Sequence, residues 1–142
     1  MTPETRRHAG ILIILIPTVI YGGVSILGLL IHDPGYMQNP LRQNLFRAGH
    51  AHAGVLLILS LVADLYVDNA NLSRVWKRIV KAFIPSAAIF LPAAFFFSVL
   101  SADAKQPNAF INLAYVGVAL LVAGLLTLGI GLIRKEKEGF KT

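Results

Sequence analysis

Apolar residues gather into four long runs, 9–31, 48–67, 79–101 and 110–133, separated by short polar stretches. Each run is close to the roughly 20 residues a helix needs to cross a hydrocarbon core about 30 Å thick. The pattern predicts an all-α integral membrane protein. Its four transmembrane helices, at about 9–31, 40–67, 79–101 and 110–133, would form one bundle and one domain, 1–142. The second helix is expected to begin outside the hydrocarbon. Asn39-Pro40 reads as an N-cap followed by proline at the first helical position, and Leu41, Leu45 and Phe46 continue the helical pattern. His32-Asp33-Pro34-Gly35 is a turn signal that closes the first run. Pro17, Pro85 and Pro92 predict bends within helices. The first run is longer than the apolar segment of a signal peptide, about 7–15 residues, so it is read as a retained span.

One face of the second helix breaks the apolar pattern. Gln43, Arg47, His50, Gly54, Leu57, Leu61, Asp64 and Asp68 follow steps of four and three, so they share a face. The polar stripe Gln43, Arg47, His50 and Asp64 runs along this helix. The stretch free of ionisable groups, 53–63, is too short to span the core alone. His50, His52 and Asp64 are therefore expected within the membrane or at its edges. Ionisable groups there are costly and usually face a bundle interior or a wet cavity.

Composition supports the membrane reading and then orients it. The chain is 56% hydrophobic and 14% charged, against about 25% charged residues in soluble domains. Ten of the thirteen basic residues lie in three segments: the N-terminus (Arg6, Arg7), the second loop (Arg74, Lys77, Arg78, Lys81) and the C-terminus (Arg134, Lys135, Lys137, Lys141). Arg42, Arg47 and Lys105 lie in the other two loops. The positive-inside rule then predicts cytoplasmic N- and C-termini in a bacterial-type cytoplasmic membrane. The bilayer and its anionic headgroups account for the basic side without a nucleic acid partner. The chain has no cysteine, which excludes thiolate catalysis, disulfides and Cys-based metal sites.

The histidines are the candidate ligands. His32, His50 and His52 are expected near the outer surface with Asp33 beside them, a donor set for haem or a transition metal. His50 and His52 differ by about 200° around an ideal helix, so they share one ion only if the helix unwinds locally. His50 lies on the polar stripe. His52 lies with Leu56, Leu59 and Ala63, a side expected to face lipid or a partner. Ala51-His52-Ala53 before an apolar helix resembles the Thr-Ala-His-Ala-Phe stretch of haem–copper oxidase subunit I, in which the histidine binds the low-spin haem. Arg47-Ala48-Gly49-His50 is similar to the Arg-x-x-His stretches of His-rich bacterial membrane proteins linked to nitric oxide metabolism. The first likeness implies haem at His52, whereas the helical face favours His50. Both are confined to this segment and do not reach the oxidase's other histidine-bearing helices or its copper ligands.

Asp64 suggests a proton relay with His50, fourteen residues away, or roughly 21 Å along a helix. Thr18, Tyr21, Ser60 and Ser98 are candidate donors across that gap. The alternative is pairing of Asp64 with Arg74 or Arg78. Arg47 is expected to pair with Asp33 or Asp103. On the last helix Gly117, Gly124 and Gly131, spaced by seven, predict a smooth seam for close helix packing. No catalytic triad, phosphate-binding loop or dinucleotide fingerprint is present, so a non-catalytic protein is favoured. Its polar, histidine-containing pocket would bind haem or a metal. The rival readings are an accessory subunit that packs on a membrane-complex partner through the glycine seam, and a small proton- or ion-conducting homo-oligomer.

Overall fold

A computed structural model describes residues 1–134. They form α1 (Pro3–His32), the short α2 (Pro34–Met37), α3 (Pro40–Val67), α4 (Arg74–Ser98), a 3₁₀ turn (Ala109–Asn112) and α5 (Leu113–Ile133). Four helices are long and apolar enough to cross a membrane. No strand occurs among the described residues.

Local chemistry sets the helix ends. The Thr2 side chain accepts from the Thr5 N–H, and Pro3 follows, so α1 starts well before its apolar run. Asp33 caps α2 by accepting from Tyr36 N. Asn39 caps α3 by accepting from Arg42 N, with Pro40 in the first turn, as the sequence pattern anticipates. The third span starts and ends about five and three residues earlier than expected, at Arg74 and Ser98. Its basic segment with Trp76 is the first turns of α4, because no breaker separates it from the apolar run. Pro17, Pro85 and Pro92 lie inside continuous helices.

The long helices pack in series: α1 on α3, α3 on α4, and α4 on α5. One buried cluster joins Ala63 and Val67 of α3 to Val80 and Ile84 of α4 and Leu128 of α5. Another joins Leu56 to Ala87 and Leu91. Among lipid-like surfaces such contacts gain little from the hydrophobic effect, so close packing has to hold the helices. Glycine provides it along α5. A Cβ at Gly117 would lie 2.9 Å from Leu91 Cγ, and one at Gly124 would lie 2.8 Å from Ile84 Cγ1. Gly131 meets Leu72 in the same way. The seam is thus filled by α4 and the loop before it.

α1 is the outlying helix. Within its most apolar window 6% of residues are buried, against 33% in α3 and in α4. Ile14, Ile20 and Val24 are among its exposed apolar side chains. A surface so apolar points to an integral membrane protein, with lipid as its solvent.

The two ends of the molecule differ in charge. At one end the start of α1 meets the end of α3 and the start of α4, through Thr2 and Asp68 and through Glu4 and Lys81. There the Asn71 N–H also donates to Gly131 O at the end of α5. This basic end carries Arg6, Arg7, Arg74, Lys77, Arg78, Lys81 and Arg134. Lys135, Lys137 and Lys141 lie outside the described residues. At the other end Asn39 Nδ2 donates to Ala102 O and Ala104 O, joining α3 to the loop after α4.

Candidate functional site

The stripe on α3 faces α1. Residues from both helices line an open groove of about 510 Å³, which contains Ile16, Val19, Gly23 and Leu27 on one wall and His50, Gly54 and Leu57 on the other. His50 contributes the groove's single polar side chain. Its ring rests on the Gly22-Gly23 surface, where a Cβ at Gly23 would stand 2.9 Å from Cε1 and 3.0 Å from Nε2. Glycine is needed here because the imidazole occupies the volume of a side chain.

The other stripe residues have separate tasks. Gln43 Nε2 donates to Tyr36 O at 2.9 Å and Met37 O at 2.8 Å, and ties α2 to α3. Arg47 does not reach Asp33 or Asp103. Its guanidinium turns back to Gln43 O and Gln43 Oε1, both at 3.1 Å. Asp33 is taken up by capping α2, and Asp103 by the hydroxyl of Ser101.

His52 is on a different side. Its Nδ1 lies 2.7 Å from Ala48 O, and its ring packs 5.2 Å from that of Phe95 on α4. Leu56 and Ala63 below it are buried. This corrects the expected lipid- or partner-facing side for Leu56 and Ala63, which meet α4, while His52 itself is exposed. His32 is exposed at the end of α1. No group of three or more His, Asp or Glu side chains able to hold a metal forms among the described residues. His32, His50, His52 and Asp33 therefore do not make a common metal centre, for the helical-phase reason that separates His50 from His52.

Asp64 is fully buried and bonds His8, with Oδ2 2.8 Å from His8 Nδ1. Arg74 and Arg78 instead approach Glu4, at 4.0 and 3.5 Å. Asp64 Oδ1 has no hydrogen-bond partner. Such a group ordinarily costs about 1–3 kcal/mol, more when charged. His8 precedes the apolar run, so run length alone does not mark it as a site residue. Its phase carries the signal: Thr5, His8, Leu12, Val19 and Gly23 fall on one helical face, and Thr5 and Leu12 are the buried residues of α1.

Among the described residues no side-chain hydrogen bonds connect His50 to Asp64. Thr18, Ser60 and Ser98 each donate back to their own helix, at Leu15 O, Leu56 O and Phe95 O. Tyr21 is exposed.

Two further polar centres hold the ends. Arg42 is buried, donates through Nε to Val99 O at 3.1 Å, and lies over the Tyr36 and Phe46 rings. Burial pushes the Tyr36 phenol up, against the opposing pull of Arg47 and Arg42. At the basic end burial works against the charge of Asp68. Hydrogen bonds from Thr2 N, Thr5 Oγ1 and Thr2 Oγ1 outweigh it and hold the carboxyl below its ordinary value.

Comparison of the chain with protein-family models, curated proteins and solved structures gave no match.

Proposed function

We propose that this is a non-catalytic polytopic membrane protein whose α1–α3 groove binds an amphipathic ligand, with haem as the first candidate. The observation that carries the reading is a groove of about 510 Å³ whose apolar lining holds one imidazole, His50. Small-molecule sites commonly have volumes of about 300–1,000 Å³, apolar walls and a few placed polar groups. The donor chemistry suits haem better than a hydrated metal ion, which would require several polar ligands. Ile16, Val19, Ile20, Val24, Leu57 and Ile58 offer apolar contact to a macrocycle. His50 would hold the haem iron through its imidazole once the ring leaves Gly23. Arg47, one turn along the stripe and about 4.5 Å further by helical rise, would meet the propionates. Bound haem would supply an iron centre for redox or gas-ligand chemistry. The charge asymmetry supports a bacterial-type cytoplasmic membrane with both termini cytoplasmic, an orientation in which the His50 end of this groove would face outward.

The test is absorption spectroscopy on protein purified in detergent, followed by haemin titration. A Soret band lost in His50→Ala and kept in His52→Ala is the expected result. No band as isolated and no saturable uptake would overturn the reading. Loss in His52→Ala alone would move the ligand to the α4 side.

A further inference from the structure

A second site lies at the other end of the α1–α3 contact. His8 and Asp64 face each other from two membrane-length helices, 2.8 Å apart. Asp64 is 1% exposed and one of its carboxylate oxygens has no partner. His8 keeps 26% of its side chain exposed and lines a cleft of about 350 Å³ with Glu4, Arg78, Lys81 and Ala82. The pair thus has one buried member and one open to the polar end.

Toward the centre the surroundings turn apolar. Leu12 on α1 and Leu57 on α3 are buried and line a cleft of about 300 Å³ whose single polar side chain, Thr18, donates to Leu15 O. Ser60, one turn in from Asp64, spends its hydroxyl on Leu56 O. No side-chain hydrogen bond continues from the pair toward His50 among the described residues. A proton can therefore reach this pair from one side and has no polar path onward.

The surrounding charges suit a site that changes charge by one. From α1 Glu4 faces the cleft, bonded to Lys81 Nζ at 3.0 Å. From α4 come Lys81, Arg78 and Arg74, which share the single Glu4 carboxylate and leave this end net positive. From α3 Asp68 lies one turn below Asp64, but its carboxylate is occupied by Thr2 and Thr5. The only titratable side chain of α5, Tyr115, is at the opposite end. Among the described residues His8 is the only side chain that bonds Asp64, and the Lys81 ammonium favours its charge from further off.

We propose that His8 and Asp64 form a one-sided proton-binding site, loaded from the basic end and closed to the rest of the membrane. In the unloaded form a neutral imidazole donates Nδ1–H to the Asp64 carboxylate. One proton from cleft water adds to the Nε2 lone pair, forming an N–H bond and an imidazolium beside the carboxylate. No other bond changes, and release reverses the step. The carboxylate orients the ring and compensates the added charge, the role an oriented acid plays beside histidine elsewhere. The proposal does not depend on a ligand at His50.

Infrared difference spectroscopy of the full chain in liposomes tests it, with pH stepped on one side at a time. A step at the basic end should produce a coupled imidazole and carboxyl difference signal. The signal should vanish in both His8→Gln and Asp64→Asn, while helix content by circular dichroism is retained. Asn keeps a hydrogen-bond acceptor for His8, so it guards against simple unfolding. No proton current above protein-free liposomes is expected. Any of three results would overturn the proposal: no pH-driven signal in wild type, an unchanged signal in both variants, or a response to pH at the opposite end.

Discussion

His50 and Gly23 interlock at the α1–α3 contact: the imidazole lies where a side chain on residue 23 would be, 2.9 Å from the built Cβ position. Gly22, its neighbour, leaves 3.9 Å, an ordinary contact. Gly23→Ala should therefore push the ring away or separate the helices, while Gly22→Ala should be silent. If the groove takes haem, Gly23→Ala should change affinity about tenfold, or ~1.4 kcal/mol, as measured by haemin titration. Equal behaviour of the two variants would show that His50 does not depend on this contact.

The glycine seam gives a stability prediction. Gly124→Leu forces a side chain into Ile84 and Phe83, at a cost of about 1–3 kcal/mol or more. Gly129 has open space around its Cβ position, so Gly129→Ala is the control. Thermal unfolding in detergent should show the loss for Gly124→Leu alone. Because α4 fills the seam, the detergent-solubilised mass should not change. A change in mass without loss of melting temperature would place a second subunit at the seam.

Arg42 ties α3 to the end of α4 at the loop end. It bonds Val99 O, lies within 3.5 Å of Leu100 O, and covers two aromatic rings. Hydrogen bonds to charged groups contribute about 1.5–3 kcal/mol, so Arg42→Met should lower the unfolding temperature clearly. Arg42→Lys should restore little, since an ammonium lacks the flat, forked shape. Full rescue by lysine would mean that only charge matters there.

How much of this was legible in the sequence differs from residue to residue. Apolar run length marked all four long helices, and Asn39-Pro40 located the start of α3, because cap chemistry is local. The stripe around His50 was legible from helical phase. The partners of its charged members were not. The sequence offers Arg47 the distant Asp33 and Asp103, yet Gln43 lies one turn away on its own helix and accepts its guanidinium. Arg74 and Arg78 are near Asp64 in sequence, but Glu4 draws those arginines off, and His8, 56 residues away, takes their place. Sequence periodicity tells which side of a helix a residue occupies. Which helix covers that side depends on tertiary packing.

Asp68 predicts a pH dependence. It caps the end of α3 beyond the span, and its hydrogen bonds to Thr2 and Thr5 favour the carboxylate over the acid despite burial. A folded value below the unfolded one stabilises the protein above the unfolded value, about 4. That contribution is lost as pH falls through the folded value. Asp68→Asn should therefore lower the melting temperature near neutrality and flatten its decline below about pH 4. Thr5→Val, which removes one donor, should fall between. Parallel curves for wild type and Asp68→Asn would mean that the bonds favour both protonation states equally.

Orientation is testable directly because the chain has no cysteine. Gln38 lies between α2 and α3 at the loop end, and Asn69 follows α3 at the basic end. If basic residues stay on the cytoplasmic side, an impermeant thiol reagent applied to whole cells should label Gln38→Cys and spare Asn69→Cys. Both should react after the membrane is opened, which controls for burial of the new thiol. The reverse pattern would place the His50 groove in the cytoplasmic half and open the His8–Asp64 cleft to the outside. Labelling of both in intact cells would mean that the long helices do not separate the two ends across a membrane.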